Sequence, residues 1–123
     1  MDYNFSSDES LYRAINPANG FWKPNGSLSS AAFKDNKGGL SVDRGNYRQD
    51  SEVVIDMKQR LKGSIVKFSV EDCLNIEARV QYDPNEEDQY HSLVLGKDKI
   101  SLSGSQARKL CNMFEVVYKD VSQ

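Results

Sequence analysis

Few side chains in this 123-residue chain could do chemistry. There is one histidine, His91, and two cysteines, Cys73 and Cys111. A structural zinc site needs four ligands, usually in close pairs, so this set is too small and too scattered. A Cys–His nucleophile pair needs an exposed thiol in an electropositive setting. Cys111 instead falls on the apolar stripe of an expected helix, where an inert thiol belongs. The acidic turn DPNEED, Asp83 to Asp88, invites a calcium reading. Asp83, Asn85 and Glu87 occupy the first three ligand positions of an EF-hand loop, but Asp88 replaces its glycine and Val94 its bidentate glutamate. A solvated acidic loop is the reading that remains. No metal and no cofactor are expected.

Ser29 and Ser30 stand in neither a G-x-S-x-G elbow nor an S-x-x-K arrangement. Gly38 and Gly39 form neither a Walker A loop nor G-x-G-x-x-G. The stretch DRGNYR is more suggestive, because Arg44 and Arg48 bracket Tyr47. Two guanidiniums beside an aromatic ring can grip a phosphate or a carboxylate. The competing reading is a polar loop that enters a helix.

The elements that must position these residues follow from periodicity. Leu11–Ile15 alternates as a short strand. FWKPNGSL reads as a hairpin or tight loop, with Pro24 setting φ and Asn25-Gly26 tolerating positive φ. Phe21 and Trp22 are expected to pack it onto the body. SSAAFKD reads either as a helical turn capped by Ser29 or Ser30, or as an extended segment. NKGG reads as a turn and LSVD as a strand with Leu40 and Val42 on one face.

A helix is expected over 50–62, with Asp50 as N-cap and Gly63 as the terminator. Val53, Val54, Met57 and Leu61 form its apolar stripe. SIVKFSV alternates as a strand, and EDCLNI reads as a short helix or a bend. EARVQYD and YHSLVLG read as a hairpin around the acidic turn, with Ala78, Val80 and Tyr82 on one face. A last helix is expected from Ser103 to about Val117, opened by the capping box Ser103…Gln106. Its stripe is Ala107, Leu110, Cys111, Phe114 and Val117. Residues 1–10 read as a mobile tail or weakly held arm, leaving 11–123 as one domain. The class is α+β: a single small domain, mainly an antiparallel sheet, with two helices against one face.

Composition narrows the function classes. Twelve aromatics argue for a folded core. A net charge of −2 argues against nonspecific nucleic-acid binding as the main role. The charge is split, however. Residues 11–67 hold ten Lys/Arg against five Asp/Glu, whereas 68–96 hold seven acids and one Arg. These halves either meet in the fold or present two faces to partners. The polar start MDYNFSSDES has no leader character, and no run approaches the ~20 apolar residues that span a bilayer. With two unpaired cysteines, a reducing cytoplasm is expected.

Two resemblances go beyond these residue-level readings. Tyr12-Arg13 and SSAAF resemble the first two parts of the ADP-ribosyltransferase pattern of the RES type, in which a catalytic glutamate follows on a late strand. Here Glu115 falls in an expected helix and Glu87 in a loop, so the third part is not matched. Taken together, L-Y-R-x-I (Leu11–Ile15), S-S-x-A-F-K (Ser29–Lys34), L-S-V-D-R (Leu40–Arg44) and H-x-L-V-x-G (His91–Gly96) resemble a group of small bacterial proteins with no established activity. That resemblance implies a bacterial cytoplasmic setting beside larger neighbour-encoded proteins, as in defence or toxin-type systems.

The sequence therefore predicts a non-catalytic accessory protein that binds another protein. Aromatic and Arg residues on loops are the usual interface anchors, which singles out Trp22, Arg44, Tyr47 and Arg48. The alternative is a nucleotide-handling enzyme, ADP-ribosyltransferase-like or other, built on Arg13, Ser30 and His91. It requires those three to converge on one cleft. A third reading, a nucleic-acid accessory, would use the basic half.

Overall fold

The computed structural model describes residues 3–34 and 38–120. Six strands form one sheet: β1 (Ser10–Ile15), β2 (Leu40–Arg44), β3 (Ser64–Ser69), β4 (Arg79–Tyr82), β5 (His91–Leu95) and β6 (Glu115–Tyr118). Their spatial order is β4-β5-β2-β1-β3-β6, and every neighbouring pair is antiparallel. Three helices accompany them: α1 (Asp50–Lys58), α2 (Val70–Asn75) and α3 (Gly104–Leu110). The class is α+β, as the sequence predicts. The expected NKGG turn lies partly outside the described residues. Among the described residues no helix is long and apolar enough to cross a membrane.

Alternation along the strands divides the interior in two, because successive side chains point to opposite faces. On one face Leu11, Ile15, Val42, Val66, Phe68 and Val94 pack with α2, α3 and the turn Ser30–Phe33. On the other, Tyr12 and Ile65 pack with Val53 and Met57 of α1. The long helices thus cover opposite faces of the sheet, not the one face expected.

The undecided segments resolve locally. Ser30–Phe33 is a 3-10 turn capped by Ser29, whose side chain accepts from the Ala31 N–H. EDCLN is helical because Ser69 and Asp72 cap it reciprocally. FWKPNGSL does close as a tight loop, through a bridge between Trp22 and Leu28.

Both long helices end early. α1 stops at Lys58, and Leu61 is 44% exposed rather than buried on the stripe. Asp50 is not the N-cap. Its carboxylate is engaged by Tyr12 Oη at 2.5 Å and Lys67 Nζ at 2.9 Å, and Gln49 takes the cap position. Those two contacts hold Asp50 below the usual carboxylate range, against the desolvation that would raise it. Gly63 is no helix terminator either. It sits at φ +102°, where a Cβ would run into the carbonyl oxygen of Ile15.

α3 ends at Leu110, and Glu115–Tyr118 is a strand paired with β3. Ala107 and Leu110 are buried in the first core and Cys111 and Phe114 pack against it, but Val117 packs on the second. The helical spacing is interrupted because EVVY is rich in β-branched and aromatic residues, and β3 offers it an open edge.

The segment read as a tail or weakly held arm is engaged by the sheet. Ser10 opens β1, and Phe5 packs against the core. Glu9 is buried and bonds Arg44.

Candidate functional site

Face by face, the sheet is unequally covered. α1 lies over Tyr12, Ile65, Val117 and Tyr118. Beyond it, on the β2-β5-β4 half, Ser41, Arg79 and Gln81 are exposed. A cleft of about 720 Å³ opens where the covered and uncovered halves meet. Arg13, Ser41, Asp43, Arg60, Asp88 and His91 line it.

At its sheet side three residues form a relay. β2 and β5 pair Asp43 with His91 and Ser41 with Leu93, so Ser41 and His91 are diagonal neighbours on one face. His91 Nε2 lies 3.2 Å from Ser41 Oγ. His91 Nδ1 faces two oxygens of Asp83, the backbone carbonyl at 2.9 Å and Oδ2 at 3.1 Å. A carbonyl and a carboxylate oxygen accept, so in the neutral ring Nδ1 is the nitrogen that carries the proton. Nε2 then presents its lone pair, and the Ser41 hydroxyl donates to it. Asp83 is brought into place by the hairpin, since its N–H donates to His91 O at 2.9 Å.

Deeper in the cleft, carboxylate oxygens of Asp43, Asp56 and Asp88 lie within 4.8 Å of one another. The Arg60 guanidinium occupies the space between them, at 2.7 Å from Asp43, 3.3 Å from Asp56 and 3.4 Å from Asp88. Arg48 also reaches Asp56, at 3.3 Å, so two guanidiniums face three acids. Burial, reinforced by the neighbouring Asp88 carboxyl, pushes the Asp43 carboxyl up to about 7 although Arg60 opposes it. The cluster is an internal ion-pair network that anchors the end of α1 to β2 and to the acidic loop.

Arg13 reaches the same region from β1. Register between β1 and β2 runs only through Leu11↔Arg44 and Tyr12↔Asp43. Just beyond, Arg13 Nη1 donates to Ser41 O at 2.8 Å and Nε to Ala32 O at 2.8 Å. Its fork replaces the missing ladder bonds with side-chain ones. Arg13 and His91 therefore do share a cleft, both in contact with Ser41. Ser30 does not line it and sits in the turn that Arg13 braces. Glu115 opens β6 on the late strand, not in a helix, but it lies toward Lys67 at 3.9 Å and outside the cleft.

The four loop residues expected at an interface separate sharply. Arg44 is 2% exposed, paired to Glu9 and sandwiched by the Phe5 and Tyr82 rings at 4.1 and 5.0 Å. It is an interior residue and does not reach a partner. Arg48 is half-buried. Its guanidinium lies 3.5 Å from the Tyr90 ring centroid and donates to the backbone oxygens of Gly45 and Arg44 and to Asp56. The two arginines thus form no anion fork around Tyr47. Trp22 packs edge-on to Phe114 at 6.1 Å and is held against the core. Tyr47 alone projects, 90% exposed.

Burial pushes the Cys73 thiol up to about 12 and raises Cys111 as well, and neither lines the cleft. The basic and acidic stretches meet where Arg60 bonds Asp88 and Arg48 stacks on Tyr90.

Sequence reasoning missed Ser41, Asp83 and Arg60. The alternation of Leu40 and Val42 already places Ser41 and Asp43 on the opposite face. The pairing of β2 with β5, fifty residues apart, carries no local signal. Compared with protein-family models, curated proteins and solved structures, the chain gives no match.

Proposed function

We propose that this small α+β protein works by binding another protein, as an accessory subunit, with Tyr47 as the anchor of its contact surface. One observation carries this reading: an exposed aromatic on a strained but rigid turn. Asn46 and Tyr47 have φ of 51° and 66°, outside the range that side-chain-bearing residues favour. Such strain costs on the order of 1–3 kcal/mol per residue and persists where surrounding contacts over-determine it. Here Glu9 accepts from Asn46 N, Gly45 N donates to Ser10 O, and Arg48 clamps the far side. The ring is thus presented at little further entropic cost, as interface anchors are. Ile55 on α1 and Leu61 after it are further exposed apolar side chains.

The setting that goes with this reading is a bacterial cytoplasm and a neighbour-encoded partner, as in defence or toxin-type systems. Copurification from the native host tests it. The expected result is a stoichiometric partner that is lost with Tyr47→Ala while the melting temperature is kept. A complex unchanged by both Tyr47→Ala and Ile55→Ser would overturn it.

A further inference from the structure

We propose that Ser41 is a nucleophile, activated by His91 and oriented through Asp83, and that the cleft accepts small carboxylic esters. This goes beyond the binding reading and does not rest on it.

The inference stands on geometry. A nucleophile must have a base within hydrogen-bond reach, and the base must be oriented by a third group. Ser41 Oγ, His91 Nε2 and Asp83 satisfy both conditions at 3.2 and 3.1 Å. The second oxygen on Nδ1, the Asp83 carbonyl at 2.9 Å, removes the tautomer in which Nε2 would carry the proton. Ser41 is also the one member that Arg13 fixes from behind, through its backbone oxygen. Arg13 is a positioning residue, since it touches the strand and not the hydroxyl.

The cleft supplies somewhere for an acyl group to sit. Ala14, Val42, Met57 and Leu61 line it beside the polar residues, and 720 Å³ is ample for a short acyl ester. Lys62 also lines the cleft and makes no ion pair among the described residues. The step balances without a cofactor. Ser41 Oγ forms a bond to the carbonyl carbon and its proton passes to His91 Nε2. The ester C–O bond then breaks, and His91 returns that proton to the leaving alkoxide. Water, activated by the same ring, releases the acid and restores Ser41.

An alkyl fluorophosphonate tests the nucleophile directly, because the Ser oxygen displaces fluoride and leaves a stable adduct. The full chain is incubated with the probe, weighed intact and mapped by peptide. One adduct on Ser41 is expected. Ser41→Ala should abolish it, and His91→Gln and Asp83→Asn should each slow it by about a hundredfold or more. Ser92→Ala, which lies on the opposite face of β5, should label normally. A wild-type chain that stays unlabelled, or is labelled at another serine, overturns the proposal even if a variant fails to fold. Absence of label with the protein complex intact sinks this site alone; loss of the complex requirement with labelling intact sinks the binding reading alone.

Discussion

Glu9 and Arg44 meet inside the protein through two N–H···O bonds, Nε to Oε2 at 2.8 Å and Nη2 to Oε1 at 2.9 Å. Both side chains are nearly inaccessible, and the guanidinium is stacked between Phe5 and Tyr82. Glu9 also holds the Asn46 N–H, so one carboxylate ties the N-terminal segment, β2 and the Tyr47 turn together.

Breaking this pair from one side leaves a buried, uncompensated charge. Glu9→Gln should therefore cost ~3–5 kcal/mol, whereas replacing both residues with methionine should cost much less. Urea denaturation of the two single variants and the double variant measures the difference. Equal losses in single and double variants would show that the charges are not coupled.

The carboxyl of Asp43 titrates near 7 in the fold, against 3.8 when free. Between these values the folded state binds more protons than the unfolded one. This contribution to stability is fully present below about pH 4 and is lost as pH rises through about 7. Stability measured from pH 5 to pH 8 should fall more steeply in the wild type than in Asp43→Asn. Parallel curves would remove Asp43 as the source.

At Gly63 a side chain has no room. The φ of +102° is itself strained for any other residue, and a Cβ would strike Ile15 O. Gly63→Ala should cost ~3 kcal/mol or more, because β1 or β3 must shift to admit it. A thermal melt within a degree of wild type would refute the contact.

Arg13 substitutes for ladder bonds that β1 and β2 do not make. Removing it, as in Arg13→Met, should cost ~2–3 kcal/mol, since hydrogen bonds to a charged group are worth about 1.5–3 kcal/mol each. Arg13→Lys should recover only part, because an ammonium lacks the fork that reaches Ser41 O and Ala32 O together. Hydrogen exchange localises the effect: amides of β2 should lose protection first. Unchanged exchange at Leu40–Val42 would argue against the brace.

Much of the framework was legible in the sequence. The two faces of β1 and β3, the hairpin of β4 and β5, the capping box of α3 and the burial of Cys73 all follow from alternation, caps and burial. Where reading failed, two local preferences competed. Cys111, Phe114 and Val117 continue a helical spacing, yet EVVY favours a strand and an open sheet edge decides. Tyr47 was singled out as an aromatic beside two arginines. Nothing local distinguishes it from Arg44, which is equally polar in pattern and lies fully buried.

What the sequence by itself determined is the class of object: one α+β domain with few reactive groups, no metal-ligand spacing and two stretches of opposite charge. Its period-two and capping signals act between residues close in the chain, so they are readable there. Only the tertiary structure decided which charges pair and which residues share a cleft. Ser41 and His91 are fifty positions apart, and Glu9 and Arg44 thirty-five. Such contacts depend on strand order, β4-β5-β2-β1-β3-β6, and strand order is set by burial over the whole chain.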